Sequence, residues 1–160
     1  MENLLDKESV KRAEQALKNF DQTLKVIALK TSAKTAFDAA NSLNCDVGAI
    51  VKSLLFRTDK SFVLCLISGD KKCSLNKLKK ITKIKDVSMA SPDEVKNQTG
   101  YTIGGVSPVG HISNFDIYID HSLKRFKKIY AAAGHPNCIF QIDFEKLEKI
   151  TNGKVVEVVE

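Results

Sequence analysis

The chain has no tryptophan, three prolines and an aromatic content of 7%. Stacked aromatic platforms for reading nucleobases are therefore in short supply. Long apolar runs are missing too: the longest unbroken one covers residues 62–67, against the ~20 residues that a membrane-spanning helix needs. The opening stretch MENLLDKESVKRA has no apolar core of a secretory signal. These absences exclude a membrane-spanning helix, leave no membrane partner to expect and predict a cytoplasmic protein. None of the four cysteines, Cys45, Cys65, Cys73 and Cys138, forms a CxxC pair. Cys65 and Cys138 fall in apolar, strand-like segments, so reduced structural thiols are expected rather than a disulfide framework. His111, His135 and Cys138 lack the paired spacing of a metal set, and neither a GxSxG elbow nor a Ser-His-Asp order presents itself. No metal and no cofactor are predicted.

What the chain does have is bulk and positive charge. Its 160 residues suit one domain, and a globule of that size removes roughly 70% of its unfolded surface from water. Apolar residues make up 43% and charged ones 28%, an ordinary globular balance without repeats or low-complexity tracts. The formal net charge of +6 is unevenly spread: residues 71–85, KKCSLNKLKKITKIK, hold seven lysines and no acid, and residues 123–128, LKRFKK, add four more cations. Such blocks suit a polyanion, with Lys71, Lys72, Lys77, Lys79 and Lys80 as candidate contacts to a phosphate backbone. A solvated lysine face that only keeps the protein soluble fits the same residues.

Hydrophobic periodicity gives an alternating series of elements. Val10, Ala13, Leu17 and Phe20 recur at helical spacing behind the potential caps Asp6 and Ser9. A strand is predicted over 23–29, then a helix with Ala36, Ala39, Ala40 and Leu43 on one face, opened by Ser32 and closed at Asn44. Strands over 49–56 and 61–68 read as a hairpin. A lysine-rich helix over 75–83 follows, then a short one that Ser91 caps with Pro92 at its first position. Beyond a glycine-rich segment come strands over 115–120, 128–133 and 139–142, a helix over 144–150 and a strand over 155–159. The predicted fold is mixed α/β (α+β), a single domain over 1–160 with mostly antiparallel strand neighbours.

Two local features carry chemistry. In AIVKSLLF, residues 49–56, a period of two puts Ile50, Lys52, Leu54 and Phe56 on one face, so an ammonium shares the side of large apolar groups. Lys52 either lays its stem inward and lifts its charge to water, or faces a pocket where a partly desolvated ammonium attracts an anionic or carbonyl oxygen. The second feature is TGYTIGGVSPVGH, residues 99–111, which contains four of the eight glycines. Gly105 and Gly110 have the spacing of a P-loop, but His111 and Ile112 stand where its Lys and Ser or Thr belong, and GxGxxG is absent. What remains is a chain needing unusual dihedrals, close approach by a neighbour and a proline-fixed turn, whether to line a site with bare backbone or to make a tight structural turn.

The strings TGYTIGGVSPVG and AIVKSLLF, with SGD at 68–70, YID at 118–120 and AAAG at 131–134, closely resemble the YbaK family of aminoacyl-tRNA editing domains. That family includes prolyl-tRNA-synthetase-associated domains and free-standing trans-editing deacylases. The resemblance runs over about 23–158 with the motifs in order, behind an N-terminal helix at about 7–20. It implies a curved, mixed sheet flanked by helices, and a hydrolase that cleaves the ester between a wrong amino acid and the 3′ end of a tRNA. One methylene in a hydrophobic pocket is worth only about 1–3 kcal/mol, so a synthetase mischarges and a second site must clear the error.

By this resemblance Lys52 is the catalytic candidate, orienting the terminal nucleotide or carbonyl, and residues 104–108 form the GxxxP loop whose backbone shapes the amino-acid pocket. Substrate contacts are expected at Gly100, Tyr101, Gly104, Gly105, Val106, Ser107, Pro108, Gly110, His111, Asp120, Gly134 and His135. His111 and His135 read equally as surface histidines. The family uses no dedicated general base, relying on a positioned water and the terminal ribose 2′-OH or, in one branch, on the substrate's own thiol. The cysteinyl-tRNA(Pro) deacylase branch tends to carry an aspartate near Ile139, which points this chain toward alanine or another small residue on tRNA(Pro) or a related tRNA. The implied partners are aminoacyl-tRNA and an aminoacyl-tRNA synthetase, not DNA. The competing classes are a non-catalytic module that binds tRNA or a synthetase, and a hydrolase of small esters using the same pocket.

Overall fold

The computed structural model describes residues 3–31 and 33–160. Helix α1 (Glu8–Phe20) forms where Val10, Ala13 and Leu17 share one stripe, and all three side chains are buried. Neither expected cap serves it. Asp6 sits in a preceding turn of 3-10 helix, Lys7 occupies the cap position but its side chain makes no capping hydrogen bond to the helix, and Ser9 Oγ donates instead to the carbonyl of Gly134 at 2.9 Å. The strand expected over 23–29 shrinks to β1 (Ile27–Ala28), because the backbone before it is bonded elsewhere: Leu24 N–H to the Asp21 carbonyl and Val26 N–H to the Glu14 carboxylate. Helix α2 (Ala36–Leu43) buries Ala39 and Ala40 and ends at Asn44 in the left-handed conformation, φ 54°. Its cap is Thr35, whose hydroxyl accepts the Asp38 N–H at 3.0 Å; the expected cap Ser32 lies outside the described residues.

Strands β2 (Val51–Arg57) and β3 (Phe62–Ser68) form the expected hairpin, Val51 opposite Ser68 and Arg57 opposite Phe62. Helix α3 (Leu75–Thr82) is capped by Ser74, and a two-residue strand that periodicity did not reveal, β4 (Ser88–Met89), pairs with β2. Helix α4 (Pro92–Thr99) opens on a capping box in which Ser91 and Glu94 satisfy each other's backbone N–H groups. The chain continues through β5 (Asp116–Asp120), β6 (Ile129–His135), β7 (Cys138–Ile142), α5 (Phe144–Thr151) and β8 (Lys154–Val156).

The strands divide into two sheets. One has the order β4-β2-β3-β5-β8, the other β1-β7-β6, and an isolated bridge between Ile50 and Tyr130 joins them. The mixed, mostly antiparallel character holds: β3–β5 and β5–β8 are parallel, and the remaining four pairs are antiparallel. Leu64 and Leu66 of β3, Ile129 of β6, Phe140 of β7 and Leu17 of α1 fill the main core. Leu78 of α3 covers the other face of the larger sheet against Cys65 and Ile67. Helix α2 makes a small third cluster with Ile50 and Tyr130, and so overlies the junction of the sheets. Among the described residues no helix is long and apolar enough to cross a membrane.

α1 packs so closely on β6 that Gly134, at φ +90°, leaves no room for a side chain: a Cβ there would lie 2.6 Å from the Ser9 carbonyl oxygen. Gly134→Ala should destabilise the fold by about 2 kcal/mol or more through combined clash and backbone strain. The urea midpoint should fall at unchanged slope. A midpoint equal to the parent's would mean that α1 is not held against β6 in this way.

Candidate functional site

A cavity of about 530 Å³ opens at the junction of the two sheets. Its walls come from Ala36 and Ala39 of α2, Val51 to Leu55 of β2, Ala131 and Ala132 of β6, Ile139 of β7, and the tip of the glycine segment at Ile103, Gly104 and Val106. Phe37, Met89 and Ile103 also line it while remaining 65%, 59% and 59% exposed, which gives the mouth an apolar rim.

Lys52 stands in this wall, half-buried, and its Nζ donates to the carbonyl of Lys71. Desolvation lowers its pKa below the ordinary lysine value; Asp70 opposes that shift and Lys72 adds to it. The turn that offers the Lys71 carbonyl is itself held. Arg125 grips Asp70 in a two-pronged pair at 3.1 and 2.7 Å and donates to Ser68 Oγ at 3.1 Å, so the SGD string fixes the acceptor for the Lys52 ammonium. Ser53, next to Lys52 on β2, is also among the lining residues, and its hydroxyl is buried and has no hydrogen-bond partner among the described residues.

The glycine segment serves mainly the fold. Gly100 caps α4 at φ +80°. Gly110, at φ +76°, has no space for a Cβ, which would lie 2.5 Å from the Tyr101 hydroxyl. Gly105 packs on the backbone of His135 and accepts the Gly134 N–H at 3.0 Å. Only Gly104, φ +92°, lies on the cavity wall. Of the residues expected to meet substrate or do chemistry, the structure brings Lys52, Gly104 and Val106 to one cavity.

The other candidates are not among the lining residues, and the polar side chains of most of them are bonded to backbone groups of the fold. Tyr101 is fully buried and donates to the carbonyls of Val109 and Gly110, at 2.8 and 3.1 Å; burial pushes its pKa up to about 12. Ser107 is fully buried, accepting the Val109 N–H at 3.4 Å, and Pro108 is buried beside it. His111 Nε2 lies 2.6 Å from the Ser107 carbonyl, an acceptor only, so this nitrogen carries the proton. Asp120 is fully buried, taking the N–H groups of Ser122 and Val158 at 2.9 and 2.8 Å and so tying β5 to the C-terminal segment. Gly134 lies beneath α1, and His135 Nδ1 accepts the Asn137 N–H at 3.0 Å. Among the described residues no three His, Cys, Asp or Glu side chains converge, and all four cysteines are free.

None of Lys71, Lys72, Lys77, Lys79 and Lys80 lines the cavity. Lys77 is engaged internally, donating to the Val159 carbonyl at 2.7 Å and pairing with Glu157 at 3.5 Å. Sequence reasoning missed Arg12, whose guanidinium donates to the carbonyls of Gly100 and Gly110, both at 2.8 Å, and lies 4.6 Å over the Tyr101 ring. It also missed Arg125, read only as part of a basic run. In each case the available signal was a lone cation near apolar positions, which does not name its partner.

A half-buried ammonium and a turn of exposed backbone share one apolar cavity, an arrangement suited to binding a small polar group. The sequence profile of the aminoacyl-tRNA editing domain matches residues 30–150, and the chain belongs to that family. Its fold agrees: a crystal structure described as a candidate trans-editing enzyme for prolyl tRNA synthetase superimposes with a TM-score of 0.91 at 35% identity, covering 96% of this chain and 98% of the other. The uncharacterized protein YwhH of Bacillus subtilis is 34% identical over 131 residues, 81% of this chain and 83% of that one. A candidate Cys-tRNA(Pro)/Cys-tRNA(Cys) deacylase, EbsC of Enterococcus faecalis, is 30% identical over 125 residues, 78% and 76% of the two chains. The proline–tRNA ligase of Caldicellulosiruptor saccharolyticus matches at 33% over 94 residues, 59% of this chain, which spans 16% of that ligase. The protein is accordingly an aminoacyl-tRNA deacylase, an ester hydrolase, rather than a non-catalytic module.

His111 provides a test of how tightly the segment packs. Burial, with help from Arg12, pushes its pKa down to about 4 against the opposing bond to Ser107, whereas an unfolded histidine titrates near ~6.5. The unfolded chain therefore takes up a proton that the folded one refuses, so this contribution is complete above about pH 6.5 and is lost as pH falls toward 4, by at most about 3 kcal/mol. In urea titrations at pH 7, 5.5 and 4, His111→Gln should lose stability less steeply than the parent. Parallel curves would show that the imidazole is not buried neutral.

Proposed function

We propose that the protein removes alanine, or an amino acid of similar size, from a mischarged tRNA, with tRNA(Pro) the first candidate carrier. The observation that carries this reading is that Lys52 and the backbone of Gly104 line the same cavity, among the small apolar side chains of Ala36, Ala131 and Ala132. Ile139 adds another apolar surface there. The resemblance to the cysteinyl-tRNA(Pro) deacylase branch would call for a nearby acid instead, so a small apolar side chain fits this wall better than a thiol. A volume of about 530 Å³ exceeds what one small aminoacyl group fills and falls in the range of sites that enclose drug-sized ligands. The terminal nucleoside therefore enters with its ester, and the exposed Phe37, Met89 and Ile103 supply apolar contact for it at the mouth.

In the reaction, the Lys52 ammonium orients the ester carbonyl or the terminal phosphate. A water, positioned by the ribose 2′-OH, adds to the carbonyl carbon; the bond from that carbon to the ribose oxygen breaks, and the water's proton passes to the leaving oxygen. The products are the free amino acid and a tRNA with its 3′ terminus restored. Such an enzyme works in the cytoplasm, where tRNA is charged, and a synthetase is a further partner.

Incubation with a panel of mischarged tRNAs should give turnover of alanyl-tRNA(Pro) above that of cysteinyl-tRNA(Pro). Lys52→Ala should reduce kcat by about 100-fold, the cost of removing one preorganised electrostatic contact, with the unfolding midpoint preserved. An undiminished rate removes Lys52 from the mechanism. Turnover of free aminoacyl esters at the same rate as tRNA substrates would favour the small-ester hydrolase instead.

A further inference from the structure

A second cleft, of about 400 Å³, lies on the smaller sheet. Leu24, Ile27 and Ile142 contribute apolar surface to it, and Lys25, Lys127, Lys128 and Lys146 bring four ammonium groups. The acids nearby are accounted for. Asp21 pairs with Lys146 at 2.9 Å, and Asp143 caps α5 by accepting the Lys146 backbone N–H at 2.8 Å. Lys25, Lys127 and Lys128 are exposed and, among the described residues, have no carboxylate partner.

The cleft adjoins the cavity on the same sheet face. Ile27 of the cleft stands opposite Ile139 of the cavity wall in the β1–β7 register, and Gln141 of the cleft stands opposite Tyr130 of the wall in the β6–β7 register. Residues directly opposite in antiparallel strands share a face, with Cβ atoms about 5 Å apart. The cavity and the lysine-bearing cleft therefore meet at neighbouring positions of adjacent strands.

We infer that the cleft bearing Lys25, Lys127 and Lys128 is the site where the phosphodiester backbone of the substrate tRNA's acceptor strand docks as it leaves the cavity. This rests on the reading of the protein as a deacylase of mischarged tRNA, which puts a polyanion at the cavity mouth. It also reassigns the role first given to the lysine-rich stretch of residues 71–85. There Lys77 is tied to the C-terminal segment, and none of the lysines of residues 71–85 lines the cavity or the cleft.

The test is direct binding of uncharged tRNA to the full chain over a series of salt concentrations. The triple variant Lys25→Gln/Lys127→Gln/Lys128→Gln should bind about tenfold or more weakly at low salt, and its log–log salt slope should be smaller by about 2, the counterions no longer released by three contacts to a single strand. A control removing the same number of charges at the exposed Lys60, Lys96 and Lys154 should keep the parent slope. In the unsubstituted protein, bound tRNA should shield Lys25, Lys127 and Lys128 from amine acylation, a readout that needs no variant. An unchanged slope in the first variant, an equal loss in the control, or unshielded lysines would each overturn the site. Because the tRNA is uncharged, the outcomes separate. A local loss of slope in a protein that hydrolyses no mischarged tRNA sustains the docking site and rejects the deacylase reading. Hydrolysis with an unmoved slope does the reverse.

Discussion

The site depends on the Arg12 guanidinium. From α1 it donates to the carbonyls of Gly100 and Gly110, ten residues apart, while its plane lies over the buried Tyr101 ring. A planar fork can hold two carbonyls and cover an aromatic face at once, which a lysine cannot. The loop between those carbonyls is thereby closed into a fixed shape, with the Tyr101 hydroxyl and the neutral His111 satisfying carbonyls within it. Ser9 and Gly105 complete the attachment through the two backbone groups of Gly134. Gly104 is then presented to the cavity by a segment with little freedom left to lose on binding, the condition under which backbone contacts discriminate best.

The second constraint is the partition of strands into two sheets. The start of β2 reaches the β6 strand through the Ile50–Tyr130 bridge, and α2 closes over that junction. Lys52 lies just beyond the bridge, too deep to be fully hydrated and too close to Asp70 to be strongly disfavoured as a cation. Its ammonium keeps a carbonyl partner on the Lys71 turn, held in place by Arg125 through Asp70. Electrostatic pull on a substrate oxygen is strongest for such a charge, because water screens it least where the wall is apolar.

How much of this was legible follows the range of the forces involved. Helix faces, the β2–β3 hairpin and the Ser91 cap rest on neighbours a few residues apart, and periodicity finds them. The strand expected before Ile27 failed because the Glu14 carboxylate and the Asp21 carbonyl, outside the strand pattern, took its N–H groups. Lys52 and the glycine segment stood out as anomalies, a cation on an apolar face and half of the glycines in thirteen residues.

By itself the sequence determined the family, the order of elements and the position of a lysine on an apolar strand face, since these are written in residue types at short spacing. Only the tertiary structure decided that one glycine of the segment's four meets the cavity, that Tyr101, Asp120 and His111 bond backbone groups away from its lining, and that Arg12 and Arg125 hold the parts together. A buried polar group must find its partner wherever the fold brings one. Arg12 to Gly110 spans 98 residues and Arg125 to Asp70 spans 55, distances over which no local pattern survives.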